Sequence, residues 1–238
     1  MFDAISEIIG QGVKEMNIIL PLNSEAVFGT YYDFLAERGK LVNLTAITEP
    51  EKVARLHFLD SIALLGAISL KNERVIDVGS GAGFPGLVLK IMRPDIDLTL
   101  LDATGKKVTF LSELCELLKI ETNCVNARAE EVSHMDTWRE TFDAAVSRAV
   151  AELRVLCELC LPFVKVGGVM VAMKSVNSDD EIDSAKNAMA TLGAELERVY
   201  DYEIPGADIT HRAVLVRKIS ETPVEYPRRY ARMQNFPL

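Results

Sequence analysis

Glycines and two acids give the clearest sign of chemistry in this sequence. Residues 77–86 read Asp-Val-Gly-Ser-Gly-Ala-Gly-Phe-Pro-Gly, at the end of a β-branched run over residues 74–78. Glycines permit a tight turn and let backbone N–H groups come close to a ligand. Asp102 ends the next predicted strand, where its carboxylate can accept hydrogen bonds from both hydroxyls of a ribose. The loop and this acid together predict a site for a cofactor that contains a nucleoside.

Two classes of cofactor fit this loop. Residues 81–86 match the G-x-G-x-x-G pattern of dinucleotide sites, in which a pyrophosphate lies at a helix N-terminus. The alternative is S-adenosylmethionine, which has a ribose and an adenine but no phosphate. Asp77 favours S-adenosylmethionine, because a carboxylate at this place attracts the methionine ammonium group and repels a pyrophosphate. A glycine-rich turn without any ligand is the third interpretation, and the flanking strand, the following helix and Asp102 argue against it.

A further polar group follows the fourth predicted strand. The apolar run over residues 142–146 leads into Ser147 and Arg148. The carboxyl end of this strand lies on the same rim of the sheet as the glycine loop. An arginine there can orient a carboxylate, a guanine edge or a phosphate. We therefore predict that Arg148 positions the substrate or the cofactor.

The elements that hold these residues alternate between strands and helices from residue 72 onward. Strands are predicted over residues 74–78, 97–102, 122–127, 142–147, 169–174, 196–204 and 213–219, and helices over 87–92, 106–118, 149–161 and 179–192. This order predicts an α/β fold with a mostly parallel sheet, helices on both faces and a closing antiparallel hairpin. Residues 1–70 show helical spacing, including a helix over 25–38 that stops at Gly39. The predicted domains are an N-terminal helical extension (1–70), the main domain (71–219) and a basic C-terminal tail (220–238).

Composition excludes several classes of protein. The chain has 238 residues, of which 49% are hydrophobic, as expected for a folded globular protein. No stretch approaches the roughly 18 apolar residues of a membrane span, and the first residues do not resemble a secretory leader. We therefore expect a cytoplasmic protein with reduced cysteines. The net charge of −9 argues against a nonspecific nucleic-acid coat, although residues 210–238 hold six Lys or Arg against two Glu.

Several short motifs resemble one family. The chain is similar to the bacterial 16S rRNA (guanine-N7) methyltransferase G family, also called glucose-inhibited division protein B, from about residue 25 to the C-terminus. The matching motifs are the glycine loop, Asn-Leu-Thr-Ala-Ile (43–47), His-Phe-Leu-Asp-Ser (57–61), Leu-Asp-Ala-Thr-Gly-Lys-Lys (101–107), Arg-Ala-Glu-Glu (128–131), Ser-Arg-Ala-Val (147–150), Glu-Leu-Cys-Leu-Pro (158–162) and Thr-Pro-Val-Glu-Tyr-Pro-Arg-Arg (222–229). One departure is the end of the chain, where residues 231–238 carry fewer cations than the lysine-rich ending common in the family.

The resemblance implies methylation of N7 of one guanosine in 16S rRNA, with S-adenosylmethionine as the cofactor. It implies a class I methyltransferase fold with an N-terminal helical extension, and 16S rRNA or the small ribosomal subunit as the partner. The cofactor residues that it implies are Gly79, Phe84, Asp102, Ala103, Thr104, Ala129, Glu130 and Arg148, with Ala129 and Glu130 near the adenine. Arg128 and the tail residues Arg228 and Arg229 become candidates for RNA contact. Nothing in the sequence marks an interface, so a monomer is expected.

Other cations are candidates for RNA contact because of their positions. Lys106, Lys107 and Arg128 follow strand ends, so they can meet Arg148 on one rim of the sheet. Phosphate charge dominates the affinity of proteins for RNA, and cations at this rim would provide it. His211, just before the last predicted strand, is a further candidate.

The chemistry of guanine N7 agrees with what the sequence lacks. N7 carries an in-plane lone pair and no proton at neutral pH, so no general base is expected and alignment supplies most of the catalysis. The sequence has no Asn/Asp-Pro-Pro-Tyr/Phe motif of the kind expected for methylation of an exocyclic amine. Three alternatives stay open: a small-molecule methyltransferase, a noncatalytic RNA-binding module on the same fold, and a dinucleotide-dependent oxidoreductase.

Two pairs of residues favour structural roles over chemical ones. Cys157 and Cys160 form a C-x-x-C on a predicted helix, but a closed zinc site needs four ligands, so buried apolar cysteines and no metal are expected. His57 and Asp60 lie one helical turn apart. Because the resemblance includes both, we expect them at an interface between the helical extension and the main domain.

Overall fold

The computed structural model describes residues 2–42 and 44–238, so Asn43 of the Asn-Leu-Thr-Ala-Ile motif lies outside the described residues. The strands are β1 (Arg74–Val78), β2 (Asp97–Asp102), β3 (Asn123–Asn126), β4 (Phe142–Arg148), β5 (Val164–Ser175), β6 (Ala194–Glu203) and β7 (Thr210–Lys218). The helices are α1 (Phe2–Glu15), α2 (Ser24–Val42), α3 (Pro50–Val53), a π-helix (Ala54–Leu59), α4 (Asp60–Ala63), α5 (Gly86–Met92), α6 (Gly105–Leu118), α7 (Ala129–Val132), α8 (Leu153–Cys160), α9 (Asp179–Thr191) and α10 (Tyr230–Asn235). The predicted strands are confirmed, with shifts at their ends.

The strands form one sheet in the order β3-β2-β1-β4-β5-β7-β6. The first five pair in parallel, whereas β7 runs antiparallel to both β5 and β6. Asp77 of β1 is in register with Val146 of β4, and Arg148 with Met173 of β5. The carboxyl ends of the parallel strands therefore meet at one edge of the sheet, where open α/β sheets bind their ligands.

Each face of the sheet carries its own hydrophobic layer. Successive strand residues point to opposite faces, so Val75 packs into one layer and Ile76 into the other. Ile9 of α1 and Phe28 of α2 are fully buried in the same layer as Val75. The N-terminal helices thus share a core with the sheet, which fixes their position relative to the strand ends.

Two predicted helix boundaries are wrong. Gly39 does not stop α2, which continues to Val42. A Cβ atom at Gly39 would lie 3.1 Å from the Leu35 side chain, so close packing inside the helix accounts for this glycine. The helix predicted over 149–161 begins only at Leu153, because Ala149 has a left-handed backbone (φ 57°) and the chain turns there. Within the part of the chain that is described, no helix is long and apolar enough to cross a bilayer.

Candidate functional site

A cavity of about 930 Å³ lies at the carboxyl ends of the parallel strands. Its wall includes the segments that follow β1 to β4 and the last residues of β5, together with residues of the helical extension and the C-terminal hairpin. This volume is near the upper end of the range for small-molecule sites, roughly 300–1,000 Å³, so a nucleoside cofactor leaves room for a second group. The predicted site residues that line the cavity are Gly79, Phe84, Asp102, Ala103, Lys107, Arg128, Ala129, Glu130, Arg148 and His211. Thr104, Lys106, Arg228 and Arg229 lie outside its described lining.

The glycine loop is shaped by neighbours on both sides. Gly79 has φ 77°, and a Cβ atom there would overlap the Val150 side chain, so the position requires glycine. The Gly79 N–H donates to the Leu101 carbonyl at 2.8 Å, which ties the loop to the end of β2. From the other side, the Tyr31 hydroxyl of α2 donates to the Ala82 carbonyl at 2.5 Å. The helical extension therefore helps to hold the loop in place.

Asp102 connects the loop to the end of β2. Its carboxylate accepts a hydrogen bond from the Gly81 N–H at 3.0 Å and another from the Thr104 N–H at 2.8 Å. The residue is only 6% exposed, and its exposed part lines the cavity. A carboxylate has about four acceptor positions. These two bonds leave acceptor positions on Asp102 for the hydroxyls of a ribose.

The space beside Asp102 fits a nucleoside. A Cβ atom at Gly81 would meet only the Gly79 carbonyl oxygen, at 3.8 Å, so a side chain there would extend into open space next to Asp102. Glycine keeps this space free and leaves the loop backbone within reach of a ligand. The Asp102 carboxylate and the open space beside Gly81 are the features that the sequence predicts for a cofactor with a ribose.

Asp77 lies beneath the loop and not in the cavity. The expected contact with a methionine ammonium group would require it to face the cavity. The residue is fully buried, and its Oδ2 accepts a hydrogen bond from the Gly86 N–H at the start of α5, at 2.8 Å. Its Oδ1 has no partner among the described residues. Burial raises the pKa of Asp77 to about 7. In this structure the acid therefore fixes the end of the loop.

The raised pKa of Asp77 predicts a pH-dependent stability. The Asp carboxyl of the unfolded chain ionises near pH 3.9, whereas the buried carboxyl of the folded protein stays protonated up to about pH 7. Its contribution to the free energy of unfolding is therefore complete below about pH 4 and is lost as the pH rises through 7. Asp77→Asn keeps the acceptor for the Gly86 N–H and cannot ionise. We compare the free energies of unfolding of this variant and of wild type at each pH. Between pH 4 and pH 8 the difference should shift in favour of the variant by about 4 kcal/mol at most. Urea unfolding of the cofactor-free protein at several pH values measures this difference.

The matched control for this prediction is Asp136→Asn, on an exposed carboxylate. This variant removes one negative charge and leaves the buried carboxyl in place, so it measures the effect of net charge alone. A difference between Asp77→Asn and wild type that is constant with pH would contradict the buried protonation.

Arg148 is held at the cavity by residues of the helical extension. Its Nη1 donates to the Leu56 carbonyl at 3.0 Å and to Asp60 Oδ2 at 3.1 Å, and its Nη2 lies 3.1 Å from His57 Nδ1. The guanidinium also lies 5.0 Å from the centre of the Phe84 ring, which stacks on the His57 ring at 4.7 Å. The predicted interface role of His57 and Asp60 is therefore confirmed, and their partner is Arg148.

His57 is a neutral ring in this cluster. Burial, together with the Arg148 charge, lowers the pKa of His57 to about 4. Its Nε2 lies 2.9 Å from the Thr45 hydroxyl. A neutral ring that donates from Nε2 to Thr45 can accept at Nδ1 from Arg148. The Leu56 carbonyl, which also lies 3.0 Å from Nδ1, then accepts its hydrogen bond from Arg148 Nη1. His57 thus orients Arg148 without adding a charge.

Asp60 joins the extension to the C-terminal hairpin. It is 1% exposed, and its Oδ1 accepts from the Tyr202 hydroxyl at 2.8 Å and lies 2.8 Å from His211 Nδ1. The hydrogen bond to Asp60 raises the pKa of His211. Sequence reasoning missed Tyr202, because its partner Asp60 is 142 residues away and no local motif marks it. Thr45 belongs to the matched motif over residues 43–47, but the motif does not indicate its contact with His57.

The two cysteines of α8 are fully buried, which confirms that Cys157 and Cys160 are apolar core residues. Burial raises the pKa of Cys157 to about 12. In the described residues, no group of His, Cys, Asp and Glu is arranged to hold a metal ion.

Comparison with known proteins identifies the family. Residues 24–209 match the family model described as rRNA small subunit methyltransferase G. A protein of this name from Alkaliphilus metalliredigens is 44% identical over 224 residues, which cover 93% of this chain and 94% of the relative. Another, from Caldanaerobacter subterraneus subsp. tengcongensis, is 42% identical over 234 residues, or 98% of each chain. The chain belongs to the rRNA small subunit methyltransferase G family.

Solved structures share the fold of this family member at low sequence identity. A SAM-dependent methyltransferase from Aquifex aeolicus superposes with a TM-score of 0.54 at 16% identity, covering 76% of this chain and 98% of the other. TYW2 of M. jannaschii, solved in complex with AdoMet, gives a TM-score of 0.52 at 17% identity and covers 66% and 74%. These likenesses concern the fold alone and confirm the predicted class I architecture. The family match confirms the predicted enzyme class, a methyltransferase that depends on S-adenosylmethionine.

The cations of this methyltransferase G family member differ in how freely they can meet RNA. Lys107 lies 3.8 Å from Asp102, and Arg128 lies 2.7 Å from Glu130, so each has an acidic partner at the cavity. The other candidates are Lys106 and Arg229, which are exposed and have no carboxylate within ion-pair distance in the described part of the chain.

Arg228 differs from the expectation for an RNA contact. Its Nη2 and its backbone N–H each donate to the Glu158 carboxylate at 2.7 Å, and Glu158 is almost fully buried. A guanidinium bound to a buried acid is not available to a phosphate. Arg228 therefore anchors the tail to α8, which differs from its predicted role as an RNA contact.

Proposed function

We propose that this methyltransferase transfers the methyl group of S-adenosylmethionine to N7 of a guanosine in 16S rRNA. The observation that carries the proposal is that one cavity joins the glycine loop and Asp102 to Arg148, which lies two strands away at the end of β4. Family membership supports the ribosomal RNA substrate. Action in the cytoplasm as a monomer belongs to the same proposal.

The cofactor would lie across the ends of β1 and β2. Asp102 would accept hydrogen bonds from the ribose, and Gly79 would approach the ligand with its backbone. Ala129 and Glu130 would border the adenine, and Ala103 would lie beside the ribose, with Phe84 and Arg148 at the other end of the cofactor. Thr104 lies outside the cavity lining and would act through Asp102, to which its N–H donates. When bound, S-adenosylmethionine supplies a methyl group on a positively charged sulfur.

The residues around Arg148 suit a reaction that needs no general base. His57 has a pKa of about 4, and both of its ring nitrogens have partners. The buried Asp60 accepts hydrogen bonds on both oxygens. Both groups are engaged in contacts within the protein, and guanine N7 has no proton to give. Arg148 would therefore act by holding the guanine or the cofactor in line for transfer.

RNA would approach over the outer rim of the cavity. Lys106 and Arg229 offer unpaired cations, and Lys107, Arg128 and His211 would contribute at the mouth of the cavity. The major groove of an RNA helix is deep and narrow, so guanine N7 is reached most easily in an unpaired or splayed-out base. The net charge of −9 disfavours contacts with RNA away from this rim.

The proposal predicts one labelled nucleoside in small-subunit RNA. RNA from a strain that lacks the protein is incubated, as naked RNA and as 30S particles, with the protein and methyl-labelled S-adenosylmethionine. We expect 7-methylguanosine at a single position, located by nuclease mapping and mass spectrometry. The matched control is RNA from the parent strain, which should accept little label because the position is already methylated.

Two results would overturn the proposal in different ways. A labelled nucleoside other than 7-methylguanosine would reject the chemistry while keeping the substrate class. No label on either template, with the cofactor bound tightly in a direct binding assay, would favour a small-molecule substrate or a noncatalytic RNA-binding role.

A further inference from the structure

The C-terminal tail is fixed along its length. The Arg139 guanidinium donates to the Thr222 carbonyl at 2.6 Å and to the Tyr226 carbonyl at 2.9 Å. His134 Nε2 lies 2.8 Å from the Pro227 carbonyl. After these contacts, Arg228 binds Glu158, and Met233 of α10 is fully buried. The tail is therefore a built part of the fold, and α10 has a defined place in it.

One residue of α10 reaches the cavity. Tyr230 lines the cavity together with Arg128, Ala129 and Glu130, which follow β3. The Arg128 guanidinium lies 4.9 Å from the centre of the Tyr230 ring and is itself held by Glu130. Arginine stacked on an aromatic ring makes a flat and orderly surface. Tyr230 and Arg128 thus form one wall of the cavity.

The sheet order places this wall at the cofactor end of the cavity. β3 lies at the edge of the sheet, next to β2, which ends in Asp102. Three strand spacings separate β3 from β4, so the ends of these strands are roughly 14 Å apart. Tyr230 therefore borders the region next to Asp102, whereas Arg148 marks the opposite end.

We propose that Tyr230 closes the adenine end of the cofactor site, so that the C-terminal helix retains S-adenosylmethionine. This inference rests on the proposed cofactor arrangement and goes beyond it, because it assigns the tail a role in cofactor binding. Adenine has the apolar faces that an aromatic ring recognises. Arg128, itself paired with Glu130, covers one face of the Tyr230 ring, and Gln234 Nε2 donates to the Tyr230 hydroxyl at 3.0 Å. The ring is therefore held before the cofactor binds, so that it loses little motion on binding.

Direct binding measurements test this role without RNA. Isothermal titration with S-adenosylmethionine and with 5′-methylthioadenosine is expected to show a Kd about five- to tenfold higher for Tyr230→Ala than for wild type. Both ligands carry the adenine, so both should lose affinity by the same factor. Tyr230→Phe is expected to remain within about twofold of wild type, because the ring and not the hydroxyl makes the contact.

The matched control is Phe236→Ala, which removes another aromatic side chain of the tail that is 72% exposed. Its Kd for both ligands is expected to equal that of wild type. Thermal unfolding of the cofactor-free variants checks that the tail is still folded, and Tyr230→Leu provides a ring-free variant that keeps apolar volume on α10. It should bind as weakly as Tyr230→Ala.

Three outcomes would overturn the inference. The first is a folded Tyr230→Ala variant whose Kd for S-adenosylmethionine is unchanged. If the KM of this variant for RNA also rises, α10 would belong to the RNA surface. The second is a loss for S-adenosylmethionine but not for methylthioadenosine, which would place Tyr230 at the methionine end. The third is equal weakening by Phe236→Ala, which would indicate a general effect of the tail. None of these depends on which nucleoside the enzyme methylates, so the inference can fail while the proposed function stands.

Discussion

Asp102→Ala is expected to weaken S-adenosylmethionine binding by at least about 100-fold, because hydrogen bonds to a charged group contribute roughly 1.5–3 kcal/mol each. The carboxylate would hold two ribose hydroxyls and already accepts from the Gly81 and Thr104 N–H groups. Its removal takes away the ribose contacts and leaves the N–H groups of Gly81, in the glycine loop, and Thr104, after β2, without their shared acceptor. Isothermal titration of the purified variant measures the effect.

Two variants sharpen this prediction. Asp102→Asn keeps one oxygen acceptor but not the charge. Its affinity for S-adenosylmethionine should be about tenfold lower than that of wild type, which lies between wild type and Asp102→Ala. Asp97→Ala removes an exposed acid from the opposite end of the same strand, and it should bind like wild type. If Asp102→Ala bound S-adenosylmethionine within threefold of wild type, the ribose would have to lie elsewhere.

Arg148→Ala is expected to reduce both stability and activity. Asp60 is 1% exposed, and without the arginine its charge is buried with only hydroxyl and imidazole partners. Breaking a buried ion pair from one side costs about 3–5 kcal/mol. Urea unfolding should show a loss of this size, and kcat/KM for RNA methylation should fall by at least about 100-fold if the guanidinium aligns the reactants.

A double variant separates these two roles of Arg148. Asp60→Asn with Arg148→Met removes the buried charge, keeps an acceptor for Tyr202 and fills much of the arginine volume. It should recover most of the lost stability and almost none of the lost activity. Recovery of both would show that Arg148 is needed only for folding. Arg154→Ala, which removes a partly exposed arginine paired with Glu152, serves as the control and should change neither quantity.

The sequence predicts the sheet and one half of the site well because those signals are local. Gly79, Gly81 and Asp102 belong to a strand, turn and helix pattern, and β2 ends where its apolar run ends. Backbone conformation and periodicity determine these features, so neighbours in the sequence are enough to indicate them.

The other half of the site depends on contacts that no spacing reveals. Asp60 meets Tyr202 and His211 across most of the chain, and a π-helix that periodicity does not distinguish from an α-helix carries His57. Likewise, the residue type and position of Asp77 predict a ligand for an ammonium group. Only the packing of Gly86 against it shows that it is covered.

During translation, Asp60 is synthesised long before the residues that it contacts in the folded protein. Its carboxylate emerges early, whereas Arg148, Tyr202 and His211 are synthesised 88, 142 and 151 residues later. Until the last hairpin is available, Asp60 lacks Tyr202 and His211, even after Arg148 has been synthesised. A nascent chain therefore cannot complete the active centre step by step as it is translated. Truncated chains that end before the hairpin leave Asp60 without two of its partners. An intact site therefore requires that translation is nearly complete.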